Sequence, residues 1–161
     1  MIRLPDEAAT TAAGVKLGAL VYGGATIALI GDLGAGKTTL VKGLVSALGG
    51  APASSPTFSL VNEYAGGRLI VWHIDLYRIE REAELDELGL EEIMGDNRGI
   101  CIVEWADRFP RVLPKDYLRL ELAHGKWGDY RELTVGGDSP SSELLSMRFL
   151  RELELEFPSG S

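Results

Sequence analysis

The chain has 161 residues, 45% of them apolar and 25% charged, and its 24 acidic against 16 basic side chains give a formal net charge of −8. Such a length and composition are typical of one globular domain that buries its own core, and we take 1–161 as a single domain. The apolar runs are shorter than the roughly 18 residues that a membrane span needs, so we expect no membrane partner.

The charge, the N-terminal sequence and the single cysteine predict the partners, the location and the disulfide state of the protein. A surface of net negative charge repels a phosphate backbone, so we expect the protein not to bind nucleic acid without a partner. A local basic patch is the alternative. The N-terminus turns acidic at Asp6 and Glu7, which is unlike a signal peptide and predicts a cytoplasmic protein. The single cysteine, Cys101, excludes an internal disulfide, and its apolar neighbours predict a small buried side chain.

Hydrophobic periodicity predicts helices and strands alternating along the chain. Pro5 and Asp6 mark the first helix start, residues 25–30 are apolar on both faces as in a buried strand, and 51–56 are a loop by composition. Two antiparallel hairpins are also expected, so the fold class is α/β with a mixed, partly antiparallel sheet. The predicted helices are 6–22, 37–48, 80–88 and 141–157, and the predicted strands are 25–30, 59–64, 69–74, 100–103, 117–122 and 130–135.

A glycine-rich turn joins the first predicted strand to the second helix and matches the phosphate-binding pattern G-x-x-x-x-G-K-[ST] without a gap. Its glycines allow backbone N–H groups to turn inward around a phosphate, beside the N-terminus of a helix. Lys37 is expected to contact the β- and γ-phosphates, and Thr38 is better placed than Thr39 for Mg²⁺. The residues of the pattern are Gly31, Asp32, Leu33, Gly34, Ala35, Gly36, Lys37 and Thr38.

Two acids follow apolar strands and are candidates for the metal carboxylate that a P-loop protein needs. Asp75 ends one predicted strand and Glu104 the other, and spacing alone does not rank them. Each acid also fits a turn or cap role. His73 shares a face with Asp75 and is expected to pack or hydrogen-bond near the nucleotide rather than to bind zinc, since His124 is the only other histidine.

A guanine-nucleotide site is not expected. Residues 86–89 match the GTPase pattern D-x-x-G, but they lie in a helical charge pattern rather than after a strand. The guanine-reading pattern Asn-Lys-x-Asp is absent from the sequence. The sequence therefore favours another nucleotide.

The order of these motifs resembles one family, the bacterial tRNA threonylcarbamoyladenosine biosynthesis ATPases called TsaE. The resemblance covers about 5–108 and rests on 31–39, 55–64, 73–78 and Glu104-Trp105. It implies a three-layer P-loop fold, with ATP and Mg²⁺ as ligands. It further implies that Thr38 and Glu104 bind Mg²⁺ and that Lys37, Thr39 and the loop amides bind the phosphates. It places Asp75 at the Walker B position, Glu7 and Arg131 near the nucleotide, and Thr57 in a switch-like loop.

The resemblance also implies a function and partners. It implies a Mg²⁺-dependent ATPase for threonylcarbamoyladenosine (t6A) formation at position 37 of ANN-decoding tRNAs. The proteins TsaD and TsaB are the implied partners, with TsaD holding the transfer site and tRNA contacted only through the complex. Slow turnover of the protein alone is expected, because the sequence has no obvious arginine finger.

Two alternatives stay open. A small-molecule kinase on the same core needs an arginine-rich lid, and the available arginines are scattered. A nucleotide-dependent interaction switch would use hydrolysis only to reset binding. The role of 137–161 is open as well. The scattered arginines are Arg78, Arg81, Arg98, Arg108 and Arg111.

Overall fold

The computed structural model describes residues 1–32, 34–52 and 60–158, which form eight strands and five α-helices. The strands are β1 (Ile2–Leu4), β2 (Thr26–Ile30), β3 (Ala51–Pro52), β4 (Val61–Ala65), β5 (Ile70–Asp75), β6 (Gly99–Glu104), β7 (Leu118–His124) and β8 (Arg131–Gly137). The helices are α1 (Glu7–Leu20), α2 (Lys37–Leu48), α3 (Ala83–Asp86), α4 (Leu90–Ile93) and α5 (Pro140–Glu156), with 3₁₀ turns at Ala106–Arg108 and Pro110–Val112.

All the described strands belong to one mixed sheet in the order β1-β8-β7-β2-β6-β5-β4-β3. The central strands are parallel, since β2 pairs in parallel with β6 and β7, and β6 in parallel with β5. The outer pairs are antiparallel. The predicted mixed sheet is thus confirmed, and β2, β5 and β6 deliver their last residues to the same edge, where α/β folds bind ligands.

Side chains alternate across this sheet and divide the core into two layers. Ile27 and Leu29 of β2 face a cluster that includes the buried sides of α1, α2 and α5. Ala28 between them faces a second cluster, which contains Leu85 of α3 and Leu90 of α4. Helical layers therefore cover both faces of the sheet, which confirms the predicted three-layer arrangement.

The predicted long helices are confirmed, with α1, α2 and α5 lying within a few residues of their expected bounds. The predicted helix 80–88 is too long, because only the single turn α3 forms there, followed by α4. The carboxylate of Glu84 accepts the backbone N–H groups of Glu80 and Arg81 and starts this turn. Gly89, at φ +65°, ends the run in the left-handed region.

Two short strands were not predicted. β1 pairs with β8, and β3 pairs with β4 where a loop was expected. Both are too short to carry a periodic signal, so their conformation follows from the strands they join.

The C-terminal helix α5 belongs to the core. Its residues Leu145, Phe149 and Leu153 are buried in the cluster that contains α1 and α2. None of the helices in the described part of the chain is long and apolar enough to cross a membrane.

Candidate functional site

Strand alternation brings two polar side chains to the edge where β2, β5 and β6 end. In β6, Ile100 and Ile102 face the α2 layer, so Glu104 faces it too. In β5, Val71 faces the same layer, and His73 follows two residues later. Both polar side chains therefore point toward the start of α2.

The glycine-rich turn leads from β2 into α2. Gly34 and Gly36 adopt φ values of +81° and +103°, a region that side chains other than glycine rarely enter. Gly36 caps α2 without a side-chain hydrogen bond, which leaves the first-turn N–H groups of the helix to an external acceptor. Thr38, in that first turn, is exposed, and Thr39 is half-buried.

Lys37, the first residue of α2, is buried although it carries a charge, with 6% of its surface exposed. Its Nζ donates a hydrogen bond of 2.5 Å to the carbonyl oxygen of Gly31 and lies 3.8 Å from Oε1 of Glu104. The same ammonium group lies 4.2 Å from the ring centroid of Trp105, a cation–π contact. The lysine thus lies between the glycine-rich turn and the end of β6.

Glu104 is also buried, with 6% of its surface exposed, and both of its carboxylate oxygens have a basic neighbour. Nε2 of His73 lies 2.6 Å from Oε2 and Lys37 lies beside Oε1. Burial alone raises the pKa of this carboxyl group, but the hydrogen bond from His73 and the charges of His73 and Lys37 outweigh burial and lower the pKa below its ordinary value. The group therefore stays an anion, as a metal ligand must.

Trp105 holds an unusual backbone conformation at the end of β6. Its φ of +62° makes it the sole non-glycine residue with positive φ in the described part of the chain. Its ring lies 5.1 Å from that of Tyr77, which follows β5, at an interplanar angle of 44°. A strained residue kept in contact with Lys37 is typical of a functional site.

A phosphate-binding turn, a buried lysine and a strand-end carboxylate at one edge are the arrangement of P-loop nucleotide-binding proteins. The protein-family model described as "Threonylcarbamoyl adenosine biosynthesis protein TsaE" matches residues 4–133. The chain belongs to the TsaE family. The resemblance drawn from the motifs is confirmed.

Individual proteins that are similar in sequence to this chain also have the TsaE name. A tRNA threonylcarbamoyladenosine biosynthesis protein TsaE from Nostoc sp. is 44% identical over 151 residues, covering 91% of this chain and 92% of the relative. A TsaE protein from Bacillus subtilis is 40% identical over 142 residues, covering 88% and 86%. The crystal structure of Bacillus subtilis YdiB matches with a TM-score of 0.78 and 30% identity, covering 94% of this chain and 97% of that one.

The structure places Asp75 beside Glu104 in the β5–β6 register. The half-buried carboxylate of Asp75 accepts the backbone N–H of Tyr77 at 3.0 Å, which is the turn role that the sequence left open. The contacts to Lys37 and His73 belong to Glu104.

Other predicted site residues surround the glycine-rich turn. Nη2 of Arg131 donates to the carbonyl oxygen of Gly34 at 3.4 Å, which places this arginine beside the turn. Glu7 is exposed in the first turn of α1, one helical turn before Thr10, whose methyl group lies near Gly36. Asp32 is exposed and its carbonyl oxygen accepts the N–H of Ala35, a fully buried residue.

Two predicted residues, Leu33 and Thr57, lie outside the described residues. The switch-like role of the loop around Thr57 therefore stays a prediction. The contact between Trp105 and Lys37 was missed by sequence reasoning, which used this tryptophan only as part of the motif that carries the family resemblance. Its position directly after the strand-end acid was the available signal.

Proposed function

We propose that this protein is a Mg²⁺-dependent ATP hydrolase required for t6A formation at position 37 of ANN-decoding tRNAs. The observation that carries this proposal is the buried cluster of Lys37, Glu104 and His73 at the glycine-rich turn. A buried lysine and an ionised strand-end carboxylate are the charged groups that phosphoryl transfer from a nucleoside triphosphate uses in P-loop proteins.

The donor set fits Mg²⁺, which prefers oxygen ligands. Glu104 offers a carboxylate kept ionised by its neighbours, and Thr38 offers an exposed hydroxyl in the first turn of α2. We assign both as the metal ligands. Bound Mg²⁺ would neutralise charge on the β- and γ-phosphates.

The chain's own groups bind and orient the triphosphate. Lys37 supplies a positive charge to the β- and γ-phosphates, while the backbone N–H groups of the turn and of Thr39 cradle the phosphates. Asp75 and Thr57 act on the γ-phosphate side, and Glu7 and Arg131 lie near the nucleoside end. The amides of the turn belong to Asp32, Leu33, Gly34, Ala35 and Gly36.

The protein acts as an accessory subunit and not as the transferase. Relatives named for threonylcarbamoyladenosine biosynthesis support a place in that process. A net charge of −8 favours contact with tRNA only through partners, and we assign TsaD and TsaB as those partners. We place the complex in the cytoplasm.

The kinase alternative is weakened because three of the five scattered arginines have local roles. Arg98 pairs with Asp96, Arg108 donates to backbone carbonyls of the turn after β5, and Arg111 pairs with Glu82. Side chains engaged in this way are not free to close over a second substrate.

Phosphate release from ATP with Mg²⁺ tests the proposal, measured for the protein alone and with the TsaB–TsaD pair from the same organism. We expect slow release alone, a sharp rise with the pair, and t6A on an ANN-decoding tRNA only when all the proteins are present. Phosphate transfer to an added alcohol instead of water would support the kinase. No effect of the pair would contradict the partner assignment.

A further inference from the structure

Almost all of the net charge lies in one short segment. Residues 80–96 contain eight acidic side chains and one basic one, a net charge of −7 out of the −8 of the whole chain. This segment contains α3 and α4 and follows β5, so the negative charge is concentrated on the layer opposite α1 and α2.

A groove of about 510 Å³ runs along this acidic segment, between α3 and α4 on one side and the 3₁₀ turn Pro110–Val112 on the other. Three acids, Asp86, Glu91 and Glu92, line it, and all are exposed. We call it the acidic groove. Its apolar lining consists of Leu85, Leu90, Met94, Val112, Leu113 and Pro114.

The basic side chain in the acidic groove is already paired. Nε of Arg111 lies 3.2 Å from a carboxylate oxygen of Glu82, and its Nη2 lies 3.6 Å from Oδ1 of Asp86. Glu91 and Glu92 have no ion pair with any residue within 1–32, 34–52 and 60–158. Their charges therefore remain to attract an outside cation.

We infer that the acidic groove is the docking site for a basic protein segment that carries apolar side chains, supplied by a partner protein. The apolar lining would bury the apolar side chains, and Glu91 and Glu92 would pair with Lys or Arg at the rim. A second copy of this chain carries the same net charge of −8, and nucleic acid or an anionic lipid surface carries phosphates, so the acidic groove repels all three. In the described residues, no three acidic, histidine or cysteine side chains are grouped to hold a metal ion.

The acidic groove is connected to the nucleotide site through short chain segments and through side-chain contacts between them. β5 leads into α3 and α4, and β6 leads through Trp105 into the two 3₁₀ turns. Arg108 links these segments by donating to the carbonyl oxygens of Tyr77 and Ile79 at 2.7 and 3.1 Å. The rings of Tyr77 and Trp105 pack together, and Trp105 contacts Lys37. A partner bound in the acidic groove would therefore contact α3, α4 and the 3₁₀ turn Pro110–Val112, which are connected to the nucleotide site through Tyr77 and Trp105.

This inference rests on the proposed function, because its probe is the TsaB–TsaD pair. The experiment measures the affinity of the pair for the wild-type chain and for the double variant Glu91→Lys/Glu92→Lys. The matched control is Glu143→Lys/Glu154→Lys, two exposed acids on α5 with the same change of charge. ATP affinity is measured for each protein to establish that the nucleotide site is intact.

We expect the groove variant to bind the pair more than about tenfold more weakly than the control at low salt, with the difference shrinking at high salt as the charges are screened. The apolar lining is tested with Met94→Gln against Met147→Gln on α5, whose side chain is exposed. We expect a loss of affinity only for Met94→Gln, and this loss should not depend on salt.

The outcomes separate the two proposals. Equal affinity of the groove and control variants for the pair, with wild-type binding retained, would overturn the assignment of the acidic groove as the docking site. The assignment of TsaB and TsaD as partners would still hold. No binding of wild type to the pair, with ATP binding retained, would overturn both the partner assignment and the occupant of the groove. No binding of ATP by wild type would overturn the nucleotide site itself.

Discussion

His73 and Glu104 are bound diagonally across β5 and β6, with Nε2 of the histidine 2.6 Å from Oε2 of the glutamate. In the register His73 stands opposite Ile102, so its ring reaches two residues along the neighbouring strand. The pKa of Glu104 is below its ordinary value in the folded protein. Its contribution to stability is therefore complete above the ordinary carboxyl pKa and is lost as the pH falls through the lowered one.

Replacing His73 should change the pH dependence of ATP hydrolysis. In His73→Ala, burial still raises the pKa of Glu104 while the hydrogen bond and charge of the histidine are gone, so this pKa should rise. We expect the acid limb of kcat/KM to move to higher pH. His73→Gln, whose amide can still donate, should recover part of the shift. Acid limbs that coincide in wild type and His73→Ala would contradict the coupling.

Removing the buried lysine should abolish useful nucleotide binding. Lys37→Ala deletes the ammonium group that lies between Gly31 and Glu104, and we expect ATP affinity to fall by about two orders of magnitude. Lys42→Ala is the matched control, since Lys42 is exposed on the same helix. Isothermal titration calorimetry with ATP makes the comparison. Unchanged affinity in Lys37→Ala would refute the assignment of the phosphate-binding turn.

The chemistry of the site was more predictable than its geometry. The glycine-rich turn and the two strand-end acids follow from local patterns, because a phosphate-binding turn needs particular residues at fixed spacing. Spacing did not rank Asp75 against Glu104. Their contacts are set by tertiary packing, in which Glu104 meets Lys37 and His73 while Asp75 accepts a backbone N–H of its own turn.

The fold was predictable where an element carries its own periodic signal. The buried strand β2 is marked instead by its continuous apolar run, whereas the helices α1, α2 and α5 have that signal. β1 does not, because its three residues become a strand through pairing with β8, which lies about 130 residues later in the chain. The acidic segment 80–96 carries many helix-forming residues, yet Gly89 limits it to single turns.

The contact between α1 and α2 should be intolerant of added volume. A Cβ on Gly14 would overlap the carbonyl oxygen of Leu40 in α2, a backbone atom with no room to move away. We expect Gly14→Ala to lower the free energy of unfolding by about 1–3 kcal/mol in urea denaturation. Gly136→Ala is the control, because a Cβ there meets no atom within 4 Å and the residue has no positive φ. Equal stability of the two variants would contradict this packing.

Glu104→Gln should affect turnover more than folding. The amide keeps the size of the side chain and can still accept from His73, and Lys37 keeps its bond to the carbonyl oxygen of Gly31. The negative charge proposed to hold Mg²⁺ is lost, so we expect Mg²⁺-dependent ATP hydrolysis to fall about 100-fold, equivalent to about 2.7 kcal/mol of barrier. We expect the free energy of unfolding to fall by only about 1–2 kcal/mol. Glu154→Gln, an exposed acid on α5, should change neither quantity. If Glu104→Gln fails to fold while Glu154→Gln is native, the expectation that this carboxylate serves turnover more than stability is wrong, and the structural role is favoured.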